Sequence, residues 1–222
     1  MTEKNLYLDL SNEEQSISIK LAIAAAAVCT CKEHHYNYTL SAVRVSIEKD
    51  GKITVDATDA AIAFVAEFKA EVIEDGPLPR AFLVPREIAA KIKPTQHVIF
   101  YGDEIRIIEG SSSVSSEYAF GTFPDIARAV KSSGGIEEIG KPADFKKAPA
   151  ETERLTSGYG GILGTMLEKV AKVAKKAHCI AFNPVPYGRA YSCVLLCGNT
   201  PKQTDVKDSK WFAHVVAMSY HK

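Results

Sequence analysis

The chain has 222 residues, enough for one large domain or two small ones. Hydrophobic residues make up 46% and charged residues 24%, so an ordinary core is available, and no apolar run approaches the roughly 20 residues of a membrane span. Lys plus Arg equals Asp plus Glu at 27 each, so bulk charge gives no nucleic-acid signal, and any DNA contact needs basic side chains gathered on one face.

Leu6 to Leu10 alternates and predicts a strand. Ser11-Asn12-Glu13-Glu14 reads as a helix start, with a capping side chain and acids in the first turn. Glu14 to Cys31 is Ala-rich and free of Gly and Pro, which predicts a helix whose small face lies close against a sheet. Its apolar stretch, Leu21 to Cys29, is too short and starts too late for a signal peptide. Tyr38 to Glu48 and Ile53 to Ala57 read as strands joined by a hairpin turn at Lys49-Asp50-Gly51-Lys52, and Ile62 to Phe68 as a third strand. Glu71 to Arg80 reads as a loop.

The pattern then recurs. Ala81 to Val84 is a predicted strand, Pro85-Arg86-Glu87 opens a short helix, and Lys93-Pro94 ends it. His97 to Tyr101 and Glu104 to Glu109 form a hairpin around Gly102-Asp103, and Ser115 to Phe120 is a further strand. The first 125 residues thus hold two copies of strand–helix–three strands, and this self-similarity is the main architectural clue. Residues 131–160, with Ser132-Ser133-Gly134-Gly135 and Gly140-Lys141-Pro142, read as a linker or a degenerate unit. A third unit follows: an amphipathic helix over Ile162 to Ala177, then strands at Cys179 to Phe182, Arg189 to Cys197 and Trp211 to Ser219, with a polar loop from Thr200 to Lys210. The fold class is α+β, with repeated β-α-β-β-β units whose helices pack on one side of curved antiparallel sheets.

The chemistry-bearing residues are few. Lys169, Lys172 and Lys176 stand at i, i+3 and i+7 opposite the apolar face of the last helix, with Lys175 beside them, and Arg86, Lys91 and Lys93 decorate the second. Phosphate contact needs only mobile positive charge, though such a run also fits a plain solvated face. The first helix carries only Lys20, near Glu13 and Glu14. Cys29, Cys31, His34 and His35 lack zinc-site spacing and read as a helix end and a loop. Cys193 and Cys197 fall on one face of a strand as small buried hydrophobes, and the odd total of five cysteines suits a reducing cytoplasm. Asp56 and Asp59 are an acid pair only in spacing; a turn-capping role is the commoner one. No phosphate-binding glycine loop and no nucleophile–base set stands out, so no enzyme activity, cofactor or metal is expected.

Four features keep a fixed order between Tyr36 and Asp125: a strand pair ending in Ala57-Thr58-Asp59, the step Leu83-Val84-Pro85-Arg86 into a helix, a hairpin, and a terminal Gly121-Thr122-Phe123-Pro124-Asp125. Together they resemble the middle domain of the bacterial replicative sliding clamp, the β subunit of DNA polymerase III. The resemblance implies a clamp-like domain at 1–130 and a partial second one at 161–222. It implies a cytoplasmic processivity factor that binds double-stranded DNA without sequence preference and takes up DNA polymerase or other proteins carrying a clamp-binding motif. It further implies a possible homo-oligomeric ring: with twelve units to a ring, four per chain close as a trimer and three per chain need four chains. The reduced length suggests a phage- or plasmid-type variant. In the resemblance the unit helices line the hole, so the DNA-facing set is Lys169, Lys172, Lys175, Lys176, Arg86, Lys91 and Lys93. The partner pocket corresponds to Thr58, Ile62, Phe64, Pro85, Val216 and Met218, although Ala60-Ala61-Ile62 stands where the family has Gly-His-Arg, and Ala217-Met218-Ser219 where it has Met-Pro-Met. Alternating strand residues in a core are the plain alternative for that set. Two other readings stay open: a clamp-derived binding module that does not encircle DNA, acting as a mimic or inhibitor, and an unrelated α+β enzyme.

Overall fold

In the computed structural model of the chain, the described residues are 5–31, 38–69, 77–126, 146–147, 164–187 and 190–218. Most of the 131–160 segment, His34, His35 and the C-terminal Ser219 lie outside them.

Strand β1 (Leu6–Leu10) leads into helix α1 (Glu14–Ala26), which is followed by a short 3-10 turn at Ala27–Cys29. No side chain caps α1; its N-cap is Glu13, whose carbonyl accepts the Ile17 amide at 2.9 Å. Strands β2 (Ala42–Ile47), β3 (Lys52–Thr58) and β4 (Ile62–Lys69) follow. The Asp-Gly turn forms where expected, with Gly51 at φ 80 and the Glu48 amide donating to the Lys52 carbonyl at 2.9 Å. The second unit is β5 (Arg80–Pro85), a single-turn helix α2 (Arg86–Ala89), β6 (His97–Tyr101), β7 (Glu104–Glu109) and β8 (Ser112–Glu117). Several bounds differ from the reading of the sequence: Tyr38–Ser41 is a 3-10 turn, so the strand read from Tyr38 begins at Ala42, and the strand opening at Cys179 runs on to Tyr187 rather than ending at Phe182. Helix α2 stops well before Lys93-Pro94. The last strand starts at Ser112 rather than Ser115, because Gly110 at φ 60 makes a two-residue turn that pairs Glu109 with Ser112. The third unit is β9 (Lys146–Lys147), helix α3 (Gly164–Lys176), β10 (Cys179–Tyr187), β11 (Ala190–Cys197) and β12 (Trp211–Met218).

Among the described residues every strand pairing is antiparallel, in two sheets of order β1-β6-β7-β8 and β5-β2-β3-β4-β12-β11-β10-β9. The first two units exchange their leading strands: β1 pairs with β6 and β5 with β2. The third unit joins the first through β12 and β4, where Val215 meets Phe64 and Val216 meets Ala63.

Period-two alternation builds the inner face of the large sheet. Val43, Val45, Ile47, Ile53, Val55, Ala57, Ile62 and Phe64 are all buried and share one core with α1. An aromatic group ties the two sheets together, with Phe82 centred 5.4 Å from Tyr7, 5.6 Å from Phe100 and 4.9 Å from Tyr118. After β8 the chain folds back over the outer face of the large sheet. Gly121, at φ 133, permits the return, since a Cβ there would meet the Thr39 methyl at 2.6 Å. Ile126 and Phe123 then cover Val65 and Val216, and Phe123 sits under the Arg44 guanidinium at 4.8 Å. Arg44 in turn forks onto Asp56, which is fully buried.

Candidate nucleic-acid interface

Helix α3 divides its residues by face. Val170 and Val173 are buried, as is Ala177 just past its end, and all three join the common core. The helix contacts α1 and the 3-10 turn that follows it. The alanines of α1, with Ala22, Ala25 and Ala26 wholly buried, leave room for that approach. Lys172, Lys175 and Lys176 point outward. The helix stops at His178, which takes a left-handed backbone at φ 50, and Lys175 and Lys176 occupy the last turn, where the helix dipole favours cations.

Four of the seven expected basic residues line one groove of about 520 Å³: Lys93 from the turn after α2, and Lys172, Lys175 and Lys176 from α3. Its floor is apolar, built by Leu21, Ala24 and Val28 with Ile92 and Pro94. Not all of this charge is free. Lys93 Nζ lies 3.0 Å from Glu109 Oε1, and Lys172 pairs with Glu168 one turn earlier. Lys175 and Lys176 have no ion pair among the described residues, so among these the groove keeps two uncompensated cations. His178, also in the lining, has its imidazole pushed toward the neutral form by burial.

The other three stand apart. Lys169 is tied to the Asp59 carboxylate, which also accepts the Ala61 and Ile62 amides at 3.0 and 2.9 Å. Arg86 is half-buried, with Nε unpartnered, and Lys91 is exposed; neither lines the groove. Lys20, the only cation of α1, turns inward and is fully buried, with Nζ donating to the Ser11 and Gln96 carbonyls at 2.6 Å each.

The residues of the expected partner pocket occupy two faces of the large sheet. Ile62 and Phe64 lie in the core beneath α1, at 1% and 0% exposure. Val216 lies on the opposite face with Val65 and Ile126. The Thr58 hydroxyl donates to the Ile62 carbonyl at 2.8 Å and accepts the Ala60 amide at 3.0 Å, so Thr58-Asp59 builds the β3–β4 turn, with Ala60 left-handed at φ 71. Pro85 is half-buried at the end of β5; of Met218 only the backbone, ending β12, is described. Asp56 and Asp59 do not act as an acid pair, being held by Arg44 and Lys169 respectively.

Reasoning from sequence missed a larger cleft of about 820 Å³. Arg44, Arg80, Phe82, Tyr118 and Phe123 line it, and Phe120, 85% exposed, stands at its edge. The one available signal was the Gly121 that follows Phe120 and breaks the expected strand there. Among the described residues, no group of three or more His, Cys, Asp or Glu side chains could hold a metal ion, and no helix is long and apolar enough to cross a membrane.

No family profile and no curated protein matches the chain. Solved structures do. The DNA polymerase sliding clamp of Pseudomonas aeruginosa aligns over 100% of this chain and 68% of its own, with a TM-score of 0.63 at 11% identity. The DNA polymerase III β subunit of Streptococcus pyogenes aligns over 100% and 67%, with a TM-score of 0.60 at 10% identity. That of Thermotoga maritima aligns over 98% and 65%, with a TM-score of 0.56 at 13% identity. The chain therefore has the sliding-clamp fold and spans about two-thirds of the length of these clamps.

Proposed function

We propose that the chain is a sliding-clamp-like processivity factor. It holds double-stranded DNA through phosphates, without sequence preference, and recruits a DNA polymerase or other proteins with clamp-binding motifs, with no chemistry of its own. The observation that carries this reading is the outward-facing cation set of α3, in a fold shared along the whole chain with sliding clamps. Lys175 and Lys176 make the phosphate contacts, with Lys172 and Lys93 contributing as their carboxylate partners yield. Among the described residues β8 ends its sheet, and such an edge is where chains would join into a homo-oligomeric ring.

The test is duplex binding against salt. Each lysine that neutralises a phosphate adds about 0.9 to the slope of log affinity on log salt. The triple change Lys172→Ala, Lys175→Ala, Lys176→Ala should weaken binding for every sequence and flatten that slope by about two to three, with the thermal midpoint unchanged. An unchanged slope removes the DNA reading. A solution mass of three or four chains, measured by light scattering, supports a ring.

A second reading is a clamp-derived module that binds a protein partner and does not encircle DNA. The inward turn of Lys20 and the exposed Phe120 beside the larger cleft favour it. A monomeric mass, with Phe120→Ala abolishing partner capture and no DNA binding at low salt, would select it.

A further inference from the structure

Cys179 opens β10, Cys197 closes β11, and the two stand directly opposite each other in the antiparallel ladder. Beside them the Gly198 amide donates to the His178 carbonyl at 3.1 Å. That bond belongs to the adjoining hydrogen-bonded position, so Cys179 and Cys197 form a non-hydrogen-bonded pair. Side chains come closest at such a pair, where Cα atoms are about 4.5 Å apart, inside the span a disulfide bridges. Cys179 Sγ donates to the Ala181 carbonyl at 3.0 Å, and its thiol is close enough to Cys197 to help raise that group's pKa. Cys197 is wholly buried and Cys179 half-buried. A surface hollow of about 350 Å³, lined by Cys179 with Lys175, His178, Pro201 and Thr204, gives small molecules a route to the outer sulfur.

We infer that Cys179 and Cys197 are a redox-active thiol pair that a peroxide oxidises to a cross-strand disulfide. The Cys179 thiolate takes one oxygen from the peroxide, becoming a sulfenic acid, and the other oxygen leaves as water. The Cys197 sulfur then attacks the Cys179 sulfur. The S–S bond forms, the sulfenic hydroxyl departs, and it carries off the Cys197 proton as a second water. Two thiols and one hydrogen peroxide thus give one disulfide and two waters; the sulfurs lose two electrons and the peroxide gains them. Burial and the neighbouring thiols hold the Cys197 thiol well above its ordinary range, so the second step is slow and quickens as pH rises. Cys193, on the same strand, is the competing thiol, but it pairs with Pro184 in the ladder rather than with Cys179.

The experiment exposes the full chain to hydrogen peroxide, blocks free thiols with maleimide in denaturant, and digests with trypsin without reduction. Mass spectrometry should find residues 177–189 joined to residues 190–202, with fragmentation assigning the link to Cys197. Cys193→Ser should leave the link intact, Cys179→Ser should abolish it, and dithiothreitol should reverse it. Cys179→Ser changes a half-exposed side chain, so its folding does not limit the test. A link through Cys193, a disulfide between two chains, or an over-oxidised Cys179 beside a fully maleimide-labelled Cys197 overturns the assignment.

Discussion

Helices α1 and α3 hold the same place in their repeats and are each 13 residues long, yet they divide polar and apolar surface in opposite ways. Helix α1 is buried on nearly every side from Ser18 to Ala26, and its lone cation points inward. Helix α3 buries a stripe through Val170 and Val173 and sends Lys172, Lys175 and Lys176 outward. A helix apolar all round belongs inside, and one with a single stripe belongs at a surface. The repeat therefore conserves topology while leaving each helix free to serve core or surface. The capacity to meet an anion sits in the third unit, not evenly around the chain.

The strongest way to break this contrast is to give α1 the character of α3. Ala25→Lys places a charge where the side chain is fully buried. An uncompensated buried charge costs about 3–5 kcal/mol, a large part of the stability of a domain this size. Urea unfolding should show that loss. A change below about 1 kcal/mol would mean that α1 can turn a face to water, and that the two helices are alike.

A smaller effect tests the inward cation. Burial lowers the Lys20 pKa from 10.5 to about 8. Between those values the unfolded chain carries a proton that the folded chain does not, so stability rises with pH across this window. Below it both states are protonated, and this dependence vanishes. The difference between 10.5 and about 8 corresponds to a gain of up to about 3 kcal/mol. Lys20→Met should remove the rise, so that unfolding midpoints at pH 7.5 and pH 10 differ less than in the parent chain. Equal pH dependence in the two proteins would show that the Lys20 ammonium keeps its water when folded.

Much of the fold was legible because its signals are local. Val43, Val45 and Ile47 alternate cleanly, Asp50-Gly51 demands a tight turn, and Val170 with Val173 marks one face of a helix. The repeated unit and its antiparallel sheets followed from these. The Ser112–Glu117 strand was harder to read, because serine has weak strand preference and Gly110 alone signals the turn. The exchange of β1 and β5 is a choice of partner across the chain, which no local pattern encodes. The site was legible in part for the same reason: spacing along α3 located its cations, but not which of them meet an acid. Lys169 and Asp59 are 110 residues apart in sequence. Lys20 does carry a local signal, since Ile19, Leu21 and Ile23 leave it no polar face to share.

The finest distinction lies within α3 itself. Lys169, one turn before Lys172, is only partly exposed and holds an Asp59 carboxylate that is nearly buried and also caps the β3–β4 turn. Lys176, at the other end, has no acid beside it among the described residues. The two lysines should therefore fail in opposite assays. Lys169→Met removes the counter-charge of a nearly buried carboxylate and should cost about 1 kcal/mol of stability. It should leave the salt dependence of duplex binding unchanged. Lys176→Ala should change stability by no more than about 0.5 kcal/mol, as surface substitutions do, and lower the salt slope by about 0.9. Thermal melts and fluorescence titrations on both variants decide the matter. If Lys169→Met also lowers the slope, its pair with Asp59 opens to meet DNA, and the interface extends along the whole helix. If neither variant moves the slope, α3 is a solvated surface, and the contrast with α1 concerns packing alone.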